Sequence, residues 1–280
     1  MNAVVTGSAE PFFFESTDNA RLFGVWRPAA GESGGVVWVV CPPFAEEEKS
    51  AHRTLVELSE ALRQQGQSSL YFAYRGTGDS SGDFAAATLA GWRLDLLAAC
   101  AEARRRAPGA RLGLLGLRLG ASLAIEVAAE AGAEGLILME PILNGRQFVG
   151  AMSKRKSLRA MMTQQEASQS GVEVAPSSVV VEESDVDDFD GWGMGRTMRA
   201  EFEALDLSAS PPQLPGSLLL QLGPRDQVAA PLQKFATATG AEVAAVTMQP
   251  FWNLLDYVRA DALTAIVVNY RLNESSKNLS

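Results

Sequence analysis

Arg111-Leu112-Gly113-Leu114-Leu115-Gly116-Leu117-Arg118-Leu119-Gly120-Ala121-Ser122-Leu123-Ala124 is the stretch whose reading decides how the chain is built. The segment predicts a strand, a sharp turn and a helix. Gly116-Leu117-Arg118-Leu119-Gly120 has the spacing of the G-x-S-x-G turn that lifts a nucleophile above the end of a strand. Glycine suits both outer positions because a strained strand-to-helix turn leaves room there only for hydrogen. The central residue of such a turn is ordinarily Ser, Cys or Asp. Here it is Arg118, whose guanidinium stays protonated to above about pH 12 and has no lone pair to attack with.

Outward from this turn, apolar runs recur between glycine and proline stops. Phe12 to Glu15 and Arg21 to Arg27 predict a hairpin turning at Asp18-Asn19. Gly35 to Cys41 is a continuous apolar run, as expected of a strand buried on both faces, and Pro42-Pro43 stops it. Leu55, Leu58 and Leu62 share a helix face that ends at Gly66. Ser69 to Tyr74 predicts a strand, Arg75 to Gly82 a glycine-rich turn, and Leu89 to Arg106 a helix. Strands follow at Leu136 to Met139, Ser217 to Leu222 and Glu242 to Met248, with a last helix expected over Leu254 to Leu272. Strands alternating with helices imply a mostly parallel sheet of about eight strands with helices on both faces.

From Asn144 to Leu207 the alternation lapses. About sixty residues between two sheet strands are too many for a simple loop and read as a cap or lid. The expected organisation is a core of residues 1–144 and 208–272, an insertion over 145–207 and a frayed tail over 273–280. The acidic run Glu182 to Asp190 lacks the spacing of a calcium loop and reads as a solvated lid hairpin.

A net charge of −9 argues against a general nucleic-acid surface. Lys154-Arg155-Lys156-Ser157-Leu158-Arg159 reads as a solvated helix face, with contact to a phosphate or an anionic lipid as the alternative. The two cysteines, Cys41 and Cys100, are expected as buried thiols. One histidine cannot build the usual zinc site, so neither a metal nor a cofactor is expected. No apolar stretch approaches the roughly 20 residues of a membrane helix, and the first residues lack a signal-peptide pattern, so a cytoplasmic protein is expected.

Together these features resemble the α/β-hydrolase superfamily over nearly the whole chain. Pro42 to Ser50, Gly116 to Ala121 and Met139 to Gly145 are similar to the proteins called hydrolase 2, exosortase A system-associated; so are Asp190-Gly191-Trp192 and Pro250-Phe251-Trp252. That resemblance implies an α/β-hydrolase fold with a lid between strands six and seven. It also implies a bacterial setting beside exosortase and exopolysaccharide systems, but no particular reaction.

The superfamily order is Ser, then Asp or Glu, then His. Carried over, the nucleophile position is Arg118, the acid position Asp226, and the histidine position falls within Gln249 to Asn253, where none stands. The lone His52 follows the third strand, out of order. Removing one triad member already costs about four to six orders of magnitude, so Ser-His-Asp hydrolysis is not expected.

Arg118 at a helix N-terminus needs anionic company. Glu46, Glu47, Glu48, Glu140 and Asp226 all follow strand ends at the same sheet edge. The expectation is an ion-pair network in place of the catalytic centre, with binding of a carboxylate or phosphate by Arg118 as the alternative. Backbone amides of Phe44, Ala45 and Leu119 would form the anion nest this superfamily uses as an oxyanion hole. His52, Ser80, Ser81 and Ser122 read as structural, and Trp92, Trp192 and Trp252 as packing residues. Three functions remain: a non-catalytic binding or scaffold component taking a small anionic or acyl ligand, a protein partner or a second copy; an ester or thioester hydrolase, or acyltransferase, with water activated by Glu46, Glu47 or Asp226; or a small-anion sensor gated by the lid.

Overall fold

The computed structural model describes residues 9–31, 35–169, 186–189, 191–254 and 256–272. The hairpin β1 (Glu10–Glu15) and β2 (Arg21–Arg27) leads into β3 (Val36–Cys41), α1 (Glu46–Gln64) and β4 (Ser68–Phe72). Then come α2 (Leu89–Arg106), β5 (Arg111–Leu117), α3 (Leu119–Ala131) and β6 (Gly135–Met139). The insertion holds α4 (Gly145–Gln169), the hairpin β7 (Val186–Phe189) and β8 (Trp192–Gly195), and α5 (Arg196–Ala204). The chain returns to the sheet through β9 (Leu218–Gly223), α6 (Ala230–Thr239), β10 (Glu242–Thr247) and α7 (Asp261–Asn269).

The main sheet has eight strands in the order β1-β2-β4-β3-β5-β6-β9-β10. All pairs are parallel except β1 with β2 and β2 with β4. Alternation along β3 builds a core on each face. Val37, Val39 and Cys41 join Trp92, Leu96 and Leu123 on one side; Val36, Trp38 and Val40 join Leu55, Leu58 and Val267 on the other. Gly113 lies opposite Trp38 in the register, and a Cβ there would stand 2.5 Å from the Trp38 ring. That glycine makes space for the largest side chain in the strand.

The glycine-rich turn after β4 is stitched from several sides. Ser80 Oγ donates to the Ala73 carbonyl and accepts from the Phe23 amide, and Ser81 Oγ accepts from the Arg21 amide. Arg75 bridges fully buried Asp95 and exposed Asp18. Cys41 and Cys100 are buried free thiols. Among the described residues no helix is long and apolar enough to cross a membrane.

The last helix departs from expectation. It begins at Asp261, not near Leu254, and is preceded by a short 3-10 turn at Phe251–Asn253. Phe251 and Trp252 are buried in the core that α1 covers, and the Tyr257 hydroxyl donates to Glu57 of α1. These contacts hold the segment out of helical phase, and Asp261 then supplies the anion that favours a helix start. The insertion is closed at its base by the Asn144–Asp206 bridge. Phe148 and Phe202 pack on Phe44, and Trp192 packs on Phe84. Residues 182–185 and 190 of the acidic run and the 273–280 tail lie outside the described residues; Val186–Phe189 pair antiparallel with Trp192–Gly195.

Candidate functional site

Three non-glycine residues with positive φ gather at the carboxyl edge of the sheet: Ala45 after β3, Arg118 after β5 and Glu140 after β6. Arg118 has φ 54° and ψ −118°, and Ala45 has φ 52° and ψ −124°. Side chains rarely adopt such angles, and their clustering marks a site where packing overrides local preference. The packing is visible in the flanking glycines. A Cβ on Gly116 would stand 2.5 Å from Ala121 Cα, and one on Gly120 would stand 2.5 Å from the Pro42 carbonyl oxygen and nearer still to that of Cys41. Arg118 and Ala45 are the N-caps of α3 and α1, so the first turns of two helices meet at this edge. First-turn amides have no partner within their own helix, and a helix start carries about half a positive charge.

Arg118 is held from three directions. Its Nε donates to Glu47 Oε1 at 3.2 Å, and its Nη1 donates to the Glu140 carbonyl at 3.4 Å. The rings of Phe148 and Trp252 stand 5.5 and 5.7 Å from the guanidinium carbon, within cation–π range. Glu46 turns away to Lys49 and the Trp192 indole, and Glu48 accepts from the Tyr71 hydroxyl. The Glu140 carboxylate accepts from the Leu222 amide, leaving its carbonyl to face Arg118. Asp226 is exposed on the loop after β9. The five-acid network thus contracts to one ion pair and one carbonyl.

Arg118 forms a wall between two cavities. The smaller, about 90 Å³, is lined by Phe44, Glu47, Phe148, Arg155, Lys156 and Phe189, among others. The larger, about 520 Å³, runs past Glu140, Ile142, Asn144, Gln147, Gln221 and Leu232. Its volume falls in the range of about 300–1,000 Å³ usual for small-molecule sites.

No family model matches this chain, and no curated protein does. Solved structures do resemble it. An esterase of Pyrococcus furiosus superposes with a TM-score of 0.63 at 14% identity, covering 95% of this chain and 91% of its own. Est1E of Butyrivibrio proteoclasticus, with ferulic acid bound, gives 0.62 at 16% identity over 92% of this chain and 96% of its own. A serine hydrolase without a lid from Xanthomonas campestris gives 0.57 at 18% identity over 95% and 94%. The chain has the α/β-hydrolase fold.

The resemblance read from the sequence puts the histidine position in the turn after β10. Trp252 occupies that turn, buried, with its ring toward Arg118. His52 is exposed on α1, with Nδ1 3.3 Å from the Tyr71 hydroxyl, and lines neither cavity. Ser122 is buried and exchanges hydrogen bonds with the backbone of Ile142. Trp92 stacks on Tyr74 within the core. Sequence reasoning missed Phe148 and Phe189 as cavity residues, because nothing in the pattern of the insertion tells which face of α4 or β7 turns inward. Among the described residues no cluster of His, Cys, Asp or Glu is arranged to hold a metal.

Glu47 is the electrostatic oddity. Burial pushes its carboxyl above the ordinary value of 4.5, against the pull of Arg118 and Arg155, and its Oε2 is buried without a hydrogen-bond partner. Burial also raises Glu140, opposed by the Leu222 amide and Arg118. A raised carboxyl means the folded protein holds the proton more tightly than the unfolded chain. The stability tied to Glu47 is therefore fully present below pH 4.5 and lost as pH rises through its raised value. Glu47→Gln is neutral throughout. The melting-temperature difference between Glu47→Gln and wild type is expected to move in the variant's favour as pH rises from 4.5 toward neutrality. A flat difference would show that Glu47 titrates at its ordinary value, and one that moves the other way that it titrates below it.

Proposed function

We propose that this protein uses the hydrolase fold for binding rather than for hydrolysis, taking a small molecule with an anionic or acyl group into the cleft beside Arg118. The observation behind this reading is the guanidinium at the nucleophile position, paired with Glu47 and packed against Trp252 in the histidine position. A guanidinium has five N–H donors and here gives two hydrogen bonds to the protein, so its fork retains donors for a carboxylate or phosphate. The backbone amides of Ala45, the N-cap of α1, and of Leu119, the first residue of α3, supply further donors to the same anion in this reading. Residues 145–207 serve in this reading as the cap over the cleft. The motif resemblance supports a place as a binding or scaffold component beside an exosortase and exopolysaccharide system.

A fluorophosphonate probe, which labels activated serines, is expected to leave the protein unlabelled. Arg118→Ser is expected to remain inactive on a p-nitrophenyl ester panel, because a serine without its histidine lacks about four to six orders of magnitude. Octanoate and inorganic phosphate, tested by calorimetric titration, are the ligand probes; binding by wild type and its loss in Arg118→Gln is the expected result. Labelling that a single Ser→Ala change abolishes would refute the binding reading.

One observation favours a second reading. The carboxylate of Glu47, made more basic by burial, stands beside the anion nest, as a general base for water would. An ester or thioester hydrolase or acyltransferase of this kind would turn over esters slowly and lose that turnover in Glu47→Gln.

A further inference from the structure

We propose that the outward face of α4 docks this protein onto an anionic lipid bilayer. Leu158, Met161 and Met162 are 59%, 68% and 54% exposed, half of the large apolar side chains left exposed among the described residues. Two of the others, Phe13 and Tyr257, have an arginine laid over the ring. The three on α4 are spaced i, i+3 and i+4 and so share one face of the helix. Lys154 precedes Leu158 by four residues, which adds an exposed cation to the same stripe.

The charge pattern selects the occupant. α4 contains five basic residues and one acidic residue, in a chain of net charge −9. An acidic protein is repelled from an anionic bilayer except through such a local basic patch, which fixes its orientation on approach. Flexible leucine and methionine side chains beyond the cations then reach the boundary between headgroups and acyl chains. Nucleic acid would satisfy the cations and leave the apolar stripe in water. The adjacent face of the same helix segment presents Phe148, Met152 and Arg155 to the smaller cavity, so docking sets that cavity beside the lipid. The docking surface is independent of what the Arg118 cleft binds.

The test is flotation of the full chain with vesicles of phosphatidylcholine alone and of phosphatidylcholine mixed with phosphatidylglycerol. Wild type is expected to float only with the mixed vesicles, and less as salt rises. Lys154→Gln is expected to weaken binding about fivefold, the factor corresponding to about 1 kcal/mol per basic side chain at an anionic surface. The triple variant Leu158→Ser, Met161→Ser, Met162→Ser is expected to lose flotation with an unchanged melting temperature, since the three side chains face water. The proposal is overturned if wild type does not float with the mixed vesicles, or if the triple variant floats equally well. It is also overturned if the triple substitution converts a dimer to a monomer, which would make a second copy the occupant.

Discussion

Arg118→Ala is expected to lower stability by about 2–4 kcal/mol. Removing one partner of a buried ion pair costs about 3–5 kcal/mol. The lower range applies because the Arg118 side chain keeps 20% of its exposure and Glu47 keeps 12%. The loss has three sources: the pair with Glu47, the bond to the Glu140 carbonyl, and the contacts with the Phe148 and Trp252 rings. It also leaves Glu47 buried with neither oxygen satisfied, so the carboxyl should retain its proton to higher pH still. The backbone adds a second, separable effect. Alanine at φ 54° keeps the strain of the turn, whereas glycine relieves it. Arg118→Gly is therefore expected to be more stable than Arg118→Ala by about 1–3 kcal/mol, the usual size of such strain. Chemical denaturation of the two variants with wild type measures both terms. Equal stability of all three would remove the ion-pair centre from the account.

Gly120→Ala should do more damage than any change to Arg118. Overpacking a core ordinarily costs about 1–3 kcal/mol because side chains can shift. Here the added methyl would meet backbone: the carbonyls of Cys41 and Pro42, at the junction of β3 with the loop into α1. Neither can retreat without pulling β3 from its ladder with β5 or moving Ala45 out of its strained conformation. A loss above about 4 kcal/mol is expected, large enough to deplete the folded protein at expression temperature. Gly191→Ala is a useful contrast, since nothing lies within 4 Å of a Cβ there and only its φ of 90° opposes the change. Soluble yield and melting temperature of the two variants distinguish packing from backbone strain. A Gly120→Ala protein that melts like wild type would mean that β3 and α3 do not meet as closely as described.

The fold was legible because its determinants are local. The all-apolar β3, the boundaries of α2 and the turn at Asp18-Asn19 follow from residue type and spacing, and each sits where the pattern puts it. The start of α7 was not legible. Leu254 to Ala260 is compatible with helix in isolation, and only contacts of Phe251, Trp252 and Tyr257 with the α1 side of the molecule hold it apart. Phe148 and Arg155 escaped notice as cavity residues for a related reason: a helix in an insertion has no sheet to declare which of its faces is inner.

Covalent identity determined, from the sequence alone, that an arginine stands at the turn and that no histidine follows the last strand. Steric need for hydrogen beside a strained turn determined Gly116 and Gly120. Tertiary structure decided Arg118's company. Glu46, Glu47 and Glu48 are equal candidates by sequence, but successive helical residues point about 100° apart. Only Glu47 can then face Arg118; Glu46 is turned to Trp192 and Glu48 to Tyr71. Glu140 offers its carbonyl because its backbone is turned to φ 48° while its carboxylate is held by Leu222. Asp226, at the same sheet edge by strand count, points into solvent. Chain order fixes which residues arrive at an edge, whereas side-chain direction, which depends on helix phase and backbone angle, fixes which of them touch.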